Sequence, residues 1–336
     1  MIETIYVETE MLRHPRAERI IDKYKRARVV ECEHYGEVFN RKGQNFRIQK
    51  QAPALILAKK QGRKLYEAPQ DHAIGAQHNY YFSHLLNCPF DCRYCFLQGK
   101  FDSANYVLFV NYEDFWEDIE NKLSLHAEPV HIFSGYDCDS LAFEPITGFV
   151  EWLLGQLVPS TSYLLELRTK SAQIRQILRF PPNKSCLVAY SIAPQAIIDH
   201  FEHGTSSLIE RLTALAQLQT LGWPIGLRVD PLIEFEGCEQ VYHEFFKLIE
   251  QHINLPKVHS ITLGTMRFPT SYLKKIRGLY PTEPLFASVN TLGAGTAGYP
   301  DEVVNGLLGN AKRFFLRHLD PARIFIQNSE DKESER

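Results

Sequence analysis

No run in the chain approaches the roughly 20 consecutive apolar residues needed to span a bilayer. The opening residues, MIETIYVETEMLRHPRAERI, also lack a basic head followed by an apolar stretch. The expectation is a cytoplasmic protein without membrane contact. Nor is there an excess of one charge: 37 Lys and Arg against 40 Asp and Glu give a formal net charge of -3, so only a local basic groove would attract a polyanion. No Gly/Ser/Pro linker, repeat or low-complexity block divides the 336 residues, of which 44% are hydrophobic, enough for one large domain or two ordinary ones. The seven cysteines are an odd number and lack the spacing of a secreted disulfide framework, which points to reduced thiols, some with metal or catalytic duties. Cys32, Cys186 and Cys238 stand alone and read as packing residues. His78, His84, His200 and His203 show no helical metal-ligand spacing.

What is present, from about residue 80 onward, is an alternation of short β-branched runs with longer amphipathic ones. NYYFSHLL, PVHIFSG, SYLLELRT, CLVAYSI, WPIGLRVDPLI and VHSITLG read as strands. The segments between and after them, YEDFWEDIENKLSLH, FEPITGFVEWLLGQL, SAQIRQIL, SSLIERLTALAQLQTLG, CEQVYHEFFKLIEQHI and FPTSYLKKIRGLY, read as helices. Six such units predict parallel strands with right-handed crossovers, too few for a closed eight-stranded barrel. The predicted fold is therefore α/β, with an N-terminal extension over 1–79, a partial barrel over 80–280 and a substrate-side extension over 281–336. Residues 1–79 read as a helical start, MLRHPRAERIIDKYKRA, a polar connector and a strand, ALILAKK. After residue 281 come a glycine-rich strand and loop, the helix DEVVNGLLGNAKRFFLRHL, the strand RIFIQN and a charged, frayed tail.

At the end of the first predicted strand, NCPFDCRYCFLQGKF places Cys88, Cys92 and Cys95 within eight residues. A [4Fe-4S] cluster has four irons, usually held by four thiolates; three leave one iron open to a small molecule, the logic that separates catalytic from structural metal sites. Strand C-terminal ends are where parallel βα folds gather functional groups. The alternative is a zinc-stabilised, non-catalytic binding protein using these thiols with a His or remote Cys. Structural zinc usually has paired CxxC or Cys/His spacings, and here Cys92 and Cys95 form the one such pair.

The CxxxCxxC loop resembles that of radical S-adenosylmethionine enzymes, and the match extends to the spore photoproduct lyase family. IYVETEMLRHPRAERIIDKY resembles that family's N-terminal start, CRYCFLQGKF its cluster loop, and IIDHFEHGTSSLIERL its most recognisable later segment, with coverage from near Ile5 to about Pro281. The resemblance implies a lyase that reverses a thymine photoproduct in DNA by radical chemistry. It implies a [4Fe-4S] cluster on Cys88, Cys92 and Cys95, with S-adenosylmethionine on its open iron. It further implies Tyr94 beside the adenine, SGYDCD (Ser134–Asp139) at the amino group, and Lys170 and Ser191 at the carboxylate and ribose. A reductant such as flavodoxin or ferredoxin would be the electron partner, with DNA as substrate.

Three departures bear on the substrate. Where the family carries Cys-Thr-Ser-Asp, whose cysteine returns a hydrogen atom to the product radical, this chain reads Tyr136-Asp137-Cys138-Asp139. Cys138 shares a face with Tyr136 if the segment is extended; it is equally readable as a cofactor contact replacing serine. The family's Tyr-Cys-Tyr, both phenols linked to hydrogen return, is here Tyr94-Cys95-Phe96, and phenylalanine has no O–H to give. Finally, the segment from Thr282 to Ala311 has no Lys or Arg where the family is strongly basic, so it contributes little phosphate neutralisation. A radical enzyme acting on another nucleotide, peptide or metabolite is the alternative these departures leave open. Tyr136, Cys138 and Tyr94 are the catalytic candidates, and Tyr94, Cys138, Asp139, Lys170 and Ser191 the cofactor contacts.

Overall fold

The computed structural model describes residues 2–69, 72–292 and 295–327; the charged tail expected to fray lies outside them. Six parallel strands stand side by side in chain order: His78–Phe82, Val130–Ser134, Tyr163–Thr169, Cys186–Ser191, Ile225–Leu232 and Ser260–Thr265. Ile324–Gln327 joins the sixth in parallel, and Leu65–Glu67 joins the first antiparallel. This is the expected partial (β/α)6 barrel with additions at both ends. Its outer helices include Tyr112–Leu123, Leu208–Leu221 and Cys238–His252. No helix among the described residues is long and apolar enough to cross a membrane.

The local expectations fail in four places, each for a physical reason. SAQIRQIL yields only a 3-10 turn, Ile177–Arg179; Ser171 and Gln173 amides are taken by Thr169 and Ser171 side-chain oxygens, local bonds that compete with a helix. The helix predicted over FEPITGFVEWLLGQL is broken into Glu144–Thr147 and Phe149–Gln156 at Gly148, whose φ of 60° is left-handed. The run NYYFSHLL is not one strand: after Phe82 it leaves the barrel, and Leu85–Leu86 pairs antiparallel with Tyr106–Phe109 in a second sheet. That sheet is completed by Leu55–Ala58, the strand expected in ALILAKK, and by Thr4–Glu8 and Arg28–Cys32, two strands not expected, which flank the helix Pro15–Lys23 found within the expected helical start.

The cysteine loop is thereby slung between barrel and second sheet. Asn87, at φ 67°, turns the chain into it and donates to the carbonyls of Ser103 and Asn105 at 2.7 Å each, closing the loop at its base.

Alternation places Glu166 and Arg168 on one face of the third strand, the barrel interior. There Arg228 donates to Glu166 at 2.7 and 3.1 Å, and Arg168 Nε donates at 2.9 Å. Burial opposes the Glu166 charge, but Arg228, Arg168 and His131 outweigh it and hold the carboxyl well below its ordinary value. The barrel floor is therefore ionic rather than aliphatic.

His84 is buried against Phe149, ring centroids 3.7 Å apart, and burial pushes its pKa down to about 3. A histidine in the unfolded chain protonates near 6.5. Between these values the unfolded state binds more protons, so stability falls as pH falls from 6.5, by up to about 1.4 kcal/mol per pH unit from this residue. Urea unfolding above and below pH 6.5 checks this; His84→Phe is expected to flatten the slope.

Candidate active site

At the C-terminal mouth of the barrel lies a cavity of about 420 Å³, lined by Cys88, Cys92, Tyr94, Cys95, Tyr136, Cys138, Asp139, Lys170 and Ser191 among others. A cavity of this size takes a cofactor-sized molecule. All nine thus line one cavity, although they come from the ends of the second, third and fourth strands and from the cysteine loop.

The loop is shaped by its own bonds. Gln98 donates to the Cys92 carbonyl at 2.6 Å, and Lys50 donates to the carbonyls of Cys88 and Phe90 at 3.1 Å each. Asp91–Cys92 pairs antiparallel with Glu202–His203, fastening the loop to the segment after the fourth strand. The short helix Leu97–Lys100 presses on Thr270–Leu279 so closely that a Cβ at Gly99 would stand 2.5 Å from that of Tyr272. Burial pushes all three thiols up. A thiolate here therefore needs positive charge beside it, and a bound metal deprotonates such a thiol outright. Among the described residues no three His, Cys, Asp or Glu side chains converge on a single-ion site. Zinc gathers its ligands within about 2.3 Å of one point, so the wall of three thiols, without a fourth, fits a larger group such as an iron–sulfur cluster.

Asp139 is tied into the wall on several sides. Its Oδ1 accepts from the amides of Leu141 and Ala142 at 2.9 Å and from Thr169 Oγ1 at 2.7 Å, and its Oδ2 accepts from the Lys170 amide at 2.6 Å. Burial raises its pKa, with those hydrogen bonds opposing the rise. It locks the ends of the second and third strands together and presents a carboxylate edge to the cavity. Burial opposes the Lys170 charge, but Glu202, Cys92 and Cys95 together outweigh it and keep its pKa above the ordinary lysine value; it remains an ammonium, 5.6 Å from the Tyr94 ring centre.

Residues 135–140 form a turn, not the extended segment on which a shared face for Tyr136 and Cys138 was conditional. The turn nevertheless brings both to the cavity. Tyr136 lies 5.7 Å from Phe96, centroid to centroid, and 5.5 Å from Lys100 Nζ. Its phenol ring thus neighbours the position where the phenylalanine has none. Lys100 is held by Asp137 at 2.6 Å. Burial pushes the Cys138 thiol well above its ordinary value, so it is a neutral S–H.

Two functional residues were not identified from sequence, Glu202 and Arg211. The Tyr94 hydroxyl donates to Glu202. Buried Arg211 binds Glu202 and donates to the Ser191 carbonyl at 2.9 Å and to Thr205 Oγ1 at 2.6 Å. One fully buried guanidinium therefore fixes the aromatic wall and the fourth strand end together. Both lie in HFEHGTSSLIER, the segment noted for its pattern, and a buried Glu–Arg pair was the unread content of it. Arg211→Met takes the ion-pair partner from buried Glu202, which keeps the Tyr94 hydroxyl and the Lys170 charge nearby, an expected loss of about 3 kcal/mol in urea unfolding, whereas Ser191→Ala leaves that pair intact and is expected to be mild.

A family model described as spore photoproduct lyase matches residues 1–287. Among curated proteins, the spore photoproduct lyase of Bacillus subtilis (strain 168) is 23% identical over 290 residues, covering 84% of this chain and 83% of that protein. That of Geobacillus sp. (strain Y412MC61) is 22% identical over 336 residues, covering 95% and 96%. Among solved structures, spore photoproduct lyase complexed with dinucleoside spore photoproduct superposes with a TM-score of 0.82 at 21% identity, covering 98% of each chain. A mutant with bound AdoMet and the same dinucleoside gives 0.81 at the same identity and coverage.

Proposed function

The chain belongs to the spore photoproduct lyase family, and from that premise we propose that it is a radical S-adenosylmethionine lyase acting on spore photoproduct in DNA. The observation that carries the reading is the single cavity where three thiols without a fourth meet Tyr94, Asp139, Lys170 and Ser191. When bound, the cluster and S-adenosylmethionine supply a 5'-deoxyadenosyl radical that abstracts a substrate hydrogen atom. The chain's residues orient and protect.

Cys88, Cys92 and Cys95 would hold the cluster. Tyr94, pinned by Glu202, offers an aromatic face to an adenine; the Lys170 ammonium suits a carboxylate, the Asp139 and Ser134 oxygens an amino group, and the Ser191 hydroxyl a ribose. Cys138, on the same wall, is either a further cofactor contact or a thiol hydrogen donor. Tyr136 is the phenol donor, in place of the family's cysteine. Desolvation keeps the Cys138 thiol a protonated donor. A flavodoxin- or ferredoxin-type reductant supplies the electron.

The division at 79 and 280 is retained as part of this proposal. Thr296–Gly298 pairs with Arg267–Pro269 on the cavity rim, which supports reading 281–336 as the substrate side. Radical chemistry on a non-DNA substrate is favoured by one observation, the absence of Lys and Arg from Thr282 to Ala311. The metal reading is tested by analysis of protein purified without oxygen. About four irons and four acid-labile sulfides per chain are expected; stoichiometric zinc without sulfide contradicts it.

A further inference from the structure

Tyr66, on the edge strand Leu65–Glu67, stands directly across the ladder from Tyr81 of the first barrel strand. Their rings stack with centroids 5.6 Å apart and planes 24° from parallel. Tyr81 in turn stacks on Tyr136 at 4.1 Å and 27°. Three phenols thus form a column from the sheet edge to the cavity wall. Cross-strand packing explains an aromatic pair at 66 and 81, but phenylalanine would satisfy it equally; it does not explain an oxidisable ring at each step.

We infer that Tyr81 and Tyr66 form a radical exit route that returns Tyr136 to its phenol form, an inference that rests on the reading of Tyr136 as hydrogen donor. When Tyr136 gives a hydrogen atom to a substrate carbon radical, its O–H bond breaks, a C–H bond forms, and a neutral phenoxyl radical remains on Tyr136. Tyr81 then supplies one electron and one proton: its O–H breaks, that of Tyr136 re-forms, and the radical resides on Tyr81. The same exchange moves it to Tyr66. There a thiol in solution gives up its hydrogen atom, restoring the Tyr66 O–H and leaving a thiyl radical outside the protein.

The charges around the column dictate that each electron travels with its proton. Arg63 and Lys60 lie 5.2 and 5.7 Å from the Tyr66 ring centre, and Lys100 lies 5.5 Å from that of Tyr136. A ring that attracts a cation through its electron-rich face is made harder to oxidise to a radical cation by that same charge. A neutral phenoxyl carries no such penalty. The Tyr66 hydroxyl donates to the Arg63 carbonyl at 2.9 Å in an exposed bond, which places the last phenol within reach of a dissolved thiol.

The route is tested without substrate by placing 3-aminotyrosine, a radical trap, at position 136 of the full chain and oxidising surface tyrosines with a flash-quenched ruthenium complex. The aminotyrosyl signal at 136 is expected to fall about tenfold or more in Tyr81→Phe and in Tyr66→Phe. Equal signals in all three proteins overturn the route. The premise is tested separately: repair of dinucleoside spore photoproduct by Tyr136→Phe at the wild-type level overturns the donor reading, and with it the need for an exit.

Discussion

Tyr136→Phe is expected to leave S-adenosylmethionine cleavage intact while lowering the yield of thymine from dinucleoside spore photoproduct more than about tenfold. The ring would stay in place, because its stacking on Tyr81 and its contact with Phe96 need no hydroxyl. The substitution removes the hydroxyl and with it the transferable hydrogen. In the proposed site cleavage depends instead on Cys88, Cys92 and Cys95 and on Tyr94, Asp139, Lys170 and Ser191, none of which is substituted. The substrate radical, once formed, would lack its donor and divert to other products, so 5'-deoxyadenosine released and thymine formed should part company. In deuterated water the wild type is expected to place one deuterium in the product, because phenol and thiol hydrogens both exchange. Cys138→Ala distinguishes the two: full retention of that label assigns the transfer to Tyr136, and its loss assigns it to Cys138.

Replacement of any one of Cys88, Cys92 and Cys95 by alanine is expected to have the larger effect, a fall of more than about 100-fold in 5'-deoxyadenosine formation together with loss of iron. Removing even an outer partner of a metal ligand commonly costs 10–100-fold in affinity or activity, and removing a ligand itself costs more. The geometry leaves no substitute, since no His, Asp or Glu among the described residues completes a metal site with the remaining pair. Cys186→Ala serves as the comparison. That thiol is buried in the fourth strand and away from the cavity lining, and its substitution should alter stability while iron content stays at the wild-type level.

The cysteine spacing and the six βα units were legible because each is written in contiguous residues. Three thiols in one loop need no tertiary information to be seen together, and apolar runs such as CLVAYSI carry their strand in their own composition. The second sheet was not legible for the opposite reason. Its strands are four or five residues long apart from Leu85–Leu86, and Tyr106–Phe109 meets Leu55–Ala58 only through folding. The loop hangs on that pairing. Charged residues misled in a similar way. Glu166 and Arg228 lie 62 positions apart and nothing local marks them as a buried pair, while Tyr94 and Glu202 are 108 apart. Tyr136 was legible as a departure from a pattern; its place in a column of three rings was not, because Tyr66 and Tyr81 meet only through the pairing of their strands.

The most direct test of the account is an anaerobic reconstitution with iron and sulfide, reduction with dithionite, and assay of 5'-deoxyadenosine and thymine with and without dinucleoside spore photoproduct. The account predicts 5'-deoxyadenosine that depends on Cys88, Cys92 and Cys95, and conversion of the lesion to thymine. Cofactor cleavage with the lesion untouched would contradict the assigned substrate, and no cleavage from fully reconstituted protein would contradict the radical chemistry itself.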